Sequence, residues 1–428
     1  YIYTGYDGDA EPEQSDGGSG PLLITVTEEG GAPSKEQLET NTDIEYNEEL
    51  LIELGSDYKN PKWDELLDQM TESEIRTLVG CGGFGLVPTV SIGKNKLFTI
   101  DGPSGLHAGV MVQDESKMKW TGYPSSNLCG SSWNKFLMYS YGRGTAAEAL
   151  ETGVEGIYAP AVNLHRSPYN GRYYEYYSED PVLSGYLAAE YIAGAKTNGM
   201  TCYIKHFVCS EMGINPVRVR VWLTEQALRE SYLRPFEIAV KKGGANAIMT
   251  GFNCLGAIWA GAVKALNYDI LRTEWGFRGA NLTDFATPVM SYMDMERGIR
   301  GGTDLWLNSD SAVVTIDLSK PGTLWCARRA VKNYLYSFAN TMMTSFTYDG
   351  LPDKYSTEIG VRSTNKVFAW WIPALAGIDA LIFLASCAAV FFILRGAGVI
   401  PSKKKAADGD DVGGPPPDGG APTVAAST

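Results

Sequence analysis

The sequence predicts an α/β fold with a parallel sheet, followed by a single transmembrane helix. From about residue 60, short apolar runs alternate with amphipathic helical stretches, a pattern typical of βαβ units with parallel strands. A separate apolar segment near the C-terminus is long enough to cross a bilayer. The composition, 44% hydrophobic and 20% charged residues, is that of a globular protein with a sizeable core.

The predicted strands and helices alternate along the chain. The strands are 97–101, 156–163, 202–207, 245–252, 280–284 and 303–307. The helices are 133–151, 181–198, 223–242, 264–275, 286–299 and 327–341. Thr224 at the start of the third helix and Gly243 and Gly244 at its end favour its assignment. Six strands are recognisable and eight would close a (β/α)8 barrel of TIM type. An open doubly wound sheet is the alternative, but no Gly-x-Gly-x-x-Gly motif supports it.

Charge and cysteine usage exclude several function classes. The net charge of −14 argues against a nucleic-acid partner, because phosphates require a basic surface. No C-x-x-C motif occurs among the seven cysteines, and only three histidines are present, so no metal centre and no cofactor are predicted. We expect most cysteines to be small buried apolar residues.

Polar residues follow the predicted strands at their C-terminal ends, where a barrel of this kind places its active site. They are Asp101, Asn163, His165, Arg166, Lys205, His206, Asn253 and Asp284. Taken singly, each has an ordinary structural explanation, since a carboxylate at a strand end often caps the next helix. Five strands that carry such residues at corresponding positions indicate a catalytic or binding site.

Several motifs resemble those of glycoside hydrolase family 3. The run from Asn163 to Gly185 resembles the family signature. The other matching stretches are Asp101-Gly-Pro-Ser-Gly-Leu, Lys205-His206-Phe207, Glu225-Gln-Ala-Leu-Arg-Glu-Ser-Tyr-Leu-Arg-Pro-Phe236, Glu274-Trp-Gly-Phe-Arg-Gly and Leu282-Thr-Asp284-Phe. The motifs keep their order and spacing across most of the predicted barrel, so the chain is identified as a member of this family.

The resemblance implies retaining hydrolysis of terminal, non-reducing β-linked sugars, as in β-glucosidases. Asp284 matches the nucleophile that forms the glycosyl-enzyme. The matching substrate-binding positions are Asp101, Arg172, Lys205, His206 and Phe252, the last where many members carry a tyrosine. A carboxylate that captures an oxocarbenium-like centre suits this chemistry. We expect the charges of Lys205 and Arg172 to keep Asp284 ionised.

The resemblance also implies a general acid/base that the predicted barrel does not supply. Many family members carry it on a second domain, and one subgroup uses a barrel histidine that this chain lacks. We therefore expect the second domain upstream, in the rearranged order of some bacterial members. The stretch 209–216 departs from the family, with Pro216 at an expected arginine, and Tyr173 replaces a common asparagine. The departures keep a catalytically weakened sugar-binding or sensing protein as the alternative, ahead of a phosphorylase, a transglycosylase or a purely structural protein.

The predicted organisation has five segments. They are a linker or end of an upstream domain (1–59), the barrel (60–345), a juxtamembrane linker (346–366), the transmembrane helix (367–394) and a disordered tail (395–428). Basic residues Lys403 to Lys405 follow the apolar segment, so the positive-inside rule predicts a cytoplasmic tail and an extracellular barrel at the cell membrane. Asp379 within the segment is costly in lipid and is expected to face a partner helix or stay protonated.

Overall fold

The computed structural model describes residues 50–55, 57–85, 87–94, 97–107, 120–213, 216–288, 290–308, 314–341 and 371–399. The chain divides into two compact units, residues 1–362 and 363–428. The predicted linker 346–366, residues 1–49 of the predicted N-terminal segment and the tail beyond residue 399 lie outside the described residues.

Parallel strands form the centre of the first unit. The described strands are β1 (Phe98–Asp101), β2 (Val154–Tyr158), β3 (Thr201–Phe207), β4 (Arg220–Val221), β5 (Ala247–Thr250), β6 (Cys254–Leu255), β7 (Ile258–Trp259), β8 (Ala280–Phe285) and β9 (Leu305–Leu307). One parallel sheet has the order β1-β2-β3-β5-β8-β9, and β4, β6 and β7 form a small second sheet. The α/β class and the six predicted parallel strands are confirmed. This curled sheet contains six strands within the described residues, where a closed (β/α)8 barrel has eight.

A short glycine-rich turn lies between the two edge strands of the curled sheet. The 3-10 turn Gly82–Phe84 packs so closely on β9 that a Cβ at Gly83 would lie 2.6 Å from Cα of Leu307. Near the other edge, the N–H of Leu97 donates to the carbonyl of Gly85 at 3.2 Å, directly before β1. Only glycine allows this approach of backbone to backbone.

Helices connect the strands as the sequence predicts. The described α-helices are α1 (Leu50–Leu54), α2 (Lys62–Asp68), α3 (Glu72–Cys81), α4 (Ser126–Ser131), α5 (Lys135–Thr152), α6 (Pro181–Lys196), α7 (Glu225–Ala227), α8 (Arg234–Gly243), α9 (Met295–Gly301), α10 (Pro321–Ala339) and α11 (Trp371–Gly396). Two π-helical segments are Leu228–Tyr232, between α7 and α8, and Ala265–Glu274. Helix α1 lies within the predicted N-terminal linker, but its leucines are buried in the core.

Two helix predictions need correction at their N-termini. The helix predicted over 286–299 is limited to α9, because Pro288 has no backbone N–H to donate within a helix. The Asp294 carboxylate caps α9 by accepting the N–H of Arg297 at 2.8 Å. Helix α10 begins six residues before the predicted 327, with Pro321 in its first turn. The predicted cap at Thr224 is present, and its hydroxyl accepts the N–H of Ala227.

Helices α5 and α6 pack at backbone contact. A Cβ at Gly142 in α5 would lie 2.0 Å from the carbonyl oxygen of Tyr191, and one at Gly194 in α6 would lie 2.0 Å from that of Tyr139. Apolar residues of α5, α6 and α8 form one core cluster with the sheet, and those of α1, α2, α3 and α10 form another. Five of the seven cysteines are buried, as predicted.

The second unit contains helix α11. Its stretch Gly377–Gly396 is long and apolar enough to cross a membrane, judged by length and composition. The predicted span 367–394 covers most of it. Its side chains from residue 377 onward are exposed within the unit.

Candidate active site

The C-terminal ends of β1, β3 and β8 bring the main predicted site residues together. Asp101 ends β1, Lys205 and His206 lie near the end of β3, and Asp284 is the penultimate residue of β8. Parallel strands place these ends at one edge of the sheet. Lys205, His206 and Asp284 are buried, whereas the Asp101 side chain is half exposed.

Lys205 connects the end of β1 to the site. Its ammonium donates to Oδ1 of Asp101 at 2.8 Å and to the carbonyl of Gly102 at 3.2 Å. Burial lowers the pKa of Lys205, but the charges of Asp101 and Glu175 outweigh burial and leave this pKa raised. Desolvation tends to raise the pKa of Asp101, but Lys205 and the Gly102 N–H reverse this effect and lower it. Both groups are therefore charged at neutral pH.

Glu175 joins the two cations of the site, Arg172 and Lys205. The guanidinium of Arg172 donates from Nε to Oε1 of Glu175, whose Oε2 is 3.6 Å from Nζ of Lys205. Glu175 is almost fully buried. The sequence prediction did not include Glu175. The spacing Arg172-x-x-Glu175, which suits an ion pair across one turn, could have indicated it.

His206 is held as a neutral imidazole. Burial lowers its pKa well below the usual value, and the nearby charges of Arg172 and Lys205 lower it further. Arg172 donates to Nε2 at 2.9 Å, since a guanidinium has no acceptor, so the ring proton resides on Nδ1. Nδ1 lies 3.3 Å from the hydroxyl of Tyr176. This partner also lies outside the predicted residue set.

Asp284 has one bound and one free carboxylate oxygen. Oδ1 accepts the N–H of Phe285 at 2.8 Å, whereas no described residue donates a hydrogen bond to the buried Oδ2. Burial raises the pKa of Asp284 to about 6, against the opposing effect of Arg172, the Phe285 N–H and Lys205. The expectation that the two cations keep Asp284 fully ionised is thus too simple, because desolvation is the larger effect. At pH 7 the carboxylate still predominates.

The buried amide of Asn163 binds the backbone of His206, and the buried carboxylate of Glu211 binds that amide. Asn163 accepts the His206 N–H at 2.7 Å and donates to its carbonyl at 3.0 Å. The same amide donates to Oε1 of Glu211 at 3.2 Å. Burial raises the pKa of Glu211 to about 7. Asn163 thus positions His206 through hydrogen bonds to its backbone.

The other polar residues that the sequence predicts at strand ends contact their local surroundings. The ring of His165 stacks on Tyr173 and bonds to the carbonyl of Tyr176, and Asn253 donates to the carbonyl of Val208 at 2.8 Å. Arg166 is exposed and lies over the ring of Tyr232.

Phe252 lies two residues after β5, the neighbour of β8. Its ring is half buried against the core cluster that includes β8. Its carbonyl accepts the hydroxyl of Tyr292 at 3.0 Å and the N–H of Arg218 at 3.2 Å. Its predicted role in substrate binding stays a prediction. Residues 214 and 215 of the divergent loop lie outside the described residues.

Comparisons with known proteins identify the domain around this site. Residues 108–319 match the model of the glycosyl hydrolase family 3 N terminal domain. A beta-glucosidase of Rhizobium radiobacter is 36% identical over 223 residues, which is 52% of this chain and 27% of the relative. Beta-glucosidase B of Emericella nidulans is 33% identical over 264 residues, 61% of this chain and 29% of the relative. The chain thus spans less than a third of these relatives.

Solved structures show the same fold. Beta-glucosidase 3B from Thermotoga neapolitana in complex with glucose superposes with a TM-score of 0.60 and 30% identity, over 70% of this chain and 46% of that one. A beta-glucosidase from Paenibacillus barengoltzii has a TM-score of 0.60 and 27% identity, over 74% of this chain and 38% of that one.

Proposed function

Because this chain carries the N-terminal domain of glycosyl hydrolase family 3, we propose that it hydrolyses terminal β-glucosides with retention, through a glycosyl-enzyme on Asp284. The free, buried Oδ2 of Asp284 is the observation that carries the proposal. A retaining nucleophile attacks the anomeric carbon through a carboxylate oxygen, and Oδ2 has a lone pair that no described donor occupies. The names of the relatives support glucose as the sugar.

The neighbouring charges suit a sugar ring. Asp101 and Glu175 hold the donors Lys205 and Arg172 at fixed positions near Asp284. Fixed polar groups of both signs bind vicinal hydroxyls and strengthen their bonds as charge develops in the transition state. Neutral His206 adds a polar ring at 3.6 Å from Asp284 without neutralising the nucleophile.

We also propose that the general acid/base comes from a second domain upstream of the barrel. A retaining pair of carboxyls lies about 5–5.5 Å apart. Asp101 and Glu175, the described carboxylates linked to the site cations, are both engaged in ion pairs. The matched relatives extend far beyond the region that they share with this chain, which leaves room for such a domain.

The same proposal places the enzyme outside the cell, tethered by the apolar helix over 367–394. Helix α11 has the necessary length and composition, and Arg395 lies in its last turn. Basic residues Lys403 to Lys405 follow it and favour a cytoplasmic C-terminal tail.

Covalent trapping tests the nucleophile directly. The chain is incubated with dinitrophenyl 2-deoxy-2-fluoro-β-glucoside, whose leaving group departs without acid assistance, and the adduct is mapped by mass spectrometry. We expect an adduct on Asp284 that is absent in Asp284→Asn. A folded chain that yields no adduct, alone or joined to the upstream domain, would favour the sugar-binding alternative that the divergent loop 209–216 suggests.

A further inference from the structure

A row of exposed side chains runs through the edge strand β4 of the small sheet and the residues that flank it. Arg218, Arg220 and Trp222 are exposed, whereas the residues between and after them alternate inward. Val221 and Leu223 pack against the core cluster of α5, α6 and α8. Alternation of this kind is expected for a strand with one buried face. The solvent-facing side of the row is therefore cationic and aromatic.

Arg218 contacts Phe252 and Tyr292, which follow β5 and β8. Its N–H donates to the carbonyl of Phe252, and its guanidinium is 5.6 Å from the centre of the Tyr292 ring. Burial raises the pKa of Tyr292 to about 12; Cys254 and Asp284 act in the same direction, and Arg218 opposes them. Tyr292 thus lies within electrostatic range of both Asp284 and Arg218. Arg218 also has a left-handed backbone (φ 62°), which is unusual for a residue other than glycine.

The two arginines of the row lack acidic partners among the described residues. Elsewhere on the same unit, Arg229 pairs with Glu274 and Arg234 with Glu237. In a chain with a net charge of −14, two neighbouring guanidinium groups without carboxylates form a local positive site. Guanidinium groups bind carboxylates and sulfates with directed N–H donors.

Trp222 adds a flat apolar surface beside these charges. One face of its ring covers the backbone of Gly256, where an added Cβ would lie 3.3 Å from ring atoms. The side chain is nevertheless 67% exposed. An indole held by backbone on one face and open on the other can stack on a sugar or aryl ring.

We propose that Arg218, Arg220 and Trp222 form a binding site for an anionic aglycone, the part of the glycoside that leaves from Asp284. The inference rests on the proposed function. Asp101, Lys205 and Arg172 come from β1, β3 and the segment after β2. The row adjoins Phe252 and Tyr292, which follow β5 and β8, and β5 lies between β3 and β8 in the sheet. Because β4 and β6 follow β3 and β5 at the C-terminal edge of the sheet, the row is near enough to meet the leaving group of a sugar held by the first group.

Calorimetric binding tests the site without turnover. The full chain carrying Asp284→Asn is titrated with para-carboxyphenyl β-glucoside and with its neutral analogue, para-(hydroxymethyl)phenyl β-glucoside. We expect the anionic compound to bind about threefold to tenfold more tightly at low ionic strength, with the difference shrinking at about 0.5 M salt. Arg218→Gln/Arg220→Gln should remove the difference, whereas Arg143→Gln, at another exposed arginine, should retain it. Trp222→Ala should weaken both compounds.

Equal affinities in the parent chain, an unchanged ratio in the double variant, or binding of neither compound would each overturn this site. Unchanged affinities in Trp222→Ala would show that Trp222 does not stack on the aglycone. The proposed nucleophile is judged separately, because the dinitrophenyl group of the intact trapping reagent is uncharged. An adduct on Asp284 together with equal affinities rejects only the aglycone site. Absence of the adduct, both in the chain alone and in the chain joined to the upstream domain, rejects the proposed function.

Discussion

Nε2 of His206 lies 3.6 Å from Oδ2 of Asp284, yet the two atoms form neither a hydrogen bond nor an ion pair. Arg172 donates to Nε2, so both atoms are acceptors, and burial with two nearby cations keeps the imidazole neutral. The arrangement leaves the Asp284 oxygen buried without a donor from the described residues. An oxygen in this state is costly to bury and is correspondingly available to attack an anomeric carbon.

The first prediction concerns the pH dependence of trapping. Asp284 has a pKa of about 6, raised by burial, and only its carboxylate attacks. The rate of inactivation by the dinitrophenyl fluoro-glucoside should therefore rise with pH, reach half its maximum near pH 6 and level off above neutrality. The reagent needs no protonation, so no falling limb is expected from an acid. A rate that is constant between pH 5 and pH 8 would contradict this environment for Asp284.

The second prediction concerns Glu175, which balances two cations. Glu175→Gln leaves Arg172 and Lys205 in a buried site with less negative charge, so the free energy of unfolding should fall by about 3–5 kcal/mol. Urea denaturation measures this loss. Glu225→Gln is the control, because its partner Arg229 lies at the surface and keeps Glu274; the expected cost is below about 1 kcal/mol. Equal costs in the two variants would show that Glu175 does not balance the cations.

The third prediction concerns the buried carboxylate of Glu211. Its pKa is raised from 4.5 to about 7 in the folded protein, so folding takes up a proton between these pH values. The contribution of Glu211 to stability therefore falls as the pH rises from 4.5 to 7. Glutamine still offers an oxygen to Asn163 but does not titrate. Glu211→Gln should therefore gain stability relative to the parent chain as pH rises from 5 to 7.5, by up to about 3 kcal/mol.

Urea denaturation at the two pH values measures this difference for Glu211. Glu230→Gln, at an exposed carboxylate, serves as the control and should show no such trend. A parent chain and a Glu211→Gln variant that differ by the same amount at both pH values would refute the raised pKa.

The fourth prediction concerns the contact between α5 and α6. Gly142→Ala places a methyl group 2.0 Å from the backbone oxygen of Tyr191, so the helices must separate. Overpacking of this kind lowers the free energy of unfolding by about 1–3 kcal/mol. Gly171→Ala is the matched control, because nothing lies within 4 Å of its added Cβ. A Gly142→Ala variant as stable as Gly171→Ala would mean that the two helices separate at little cost.

The local pattern of apolar and polar residues was sufficient to predict much of the fold. Each of the six predicted strands overlaps a strand of the curled sheet, because buried parallel strands appear as short apolar runs between helices. Pro288 shows a limit of this approach. The helical pattern extends across it, but the chain becomes helical only after Asp294.

The sequence alone determined the α/β class, the order of the elements and the polar residues at the strand ends, since these depend on periodicity and on motifs of neighbouring residues. Only the tertiary structure decided the charge states and partners within the site. Lys205 meets Asp101 across 104 positions of sequence, and Glu175 is buried between two cations from different segments. Desolvation is the physical reason. The burial that makes His206 neutral, and raises the pKa of Asp284 despite two nearby cations, is a property of packed neighbours and is not encoded in any local pattern.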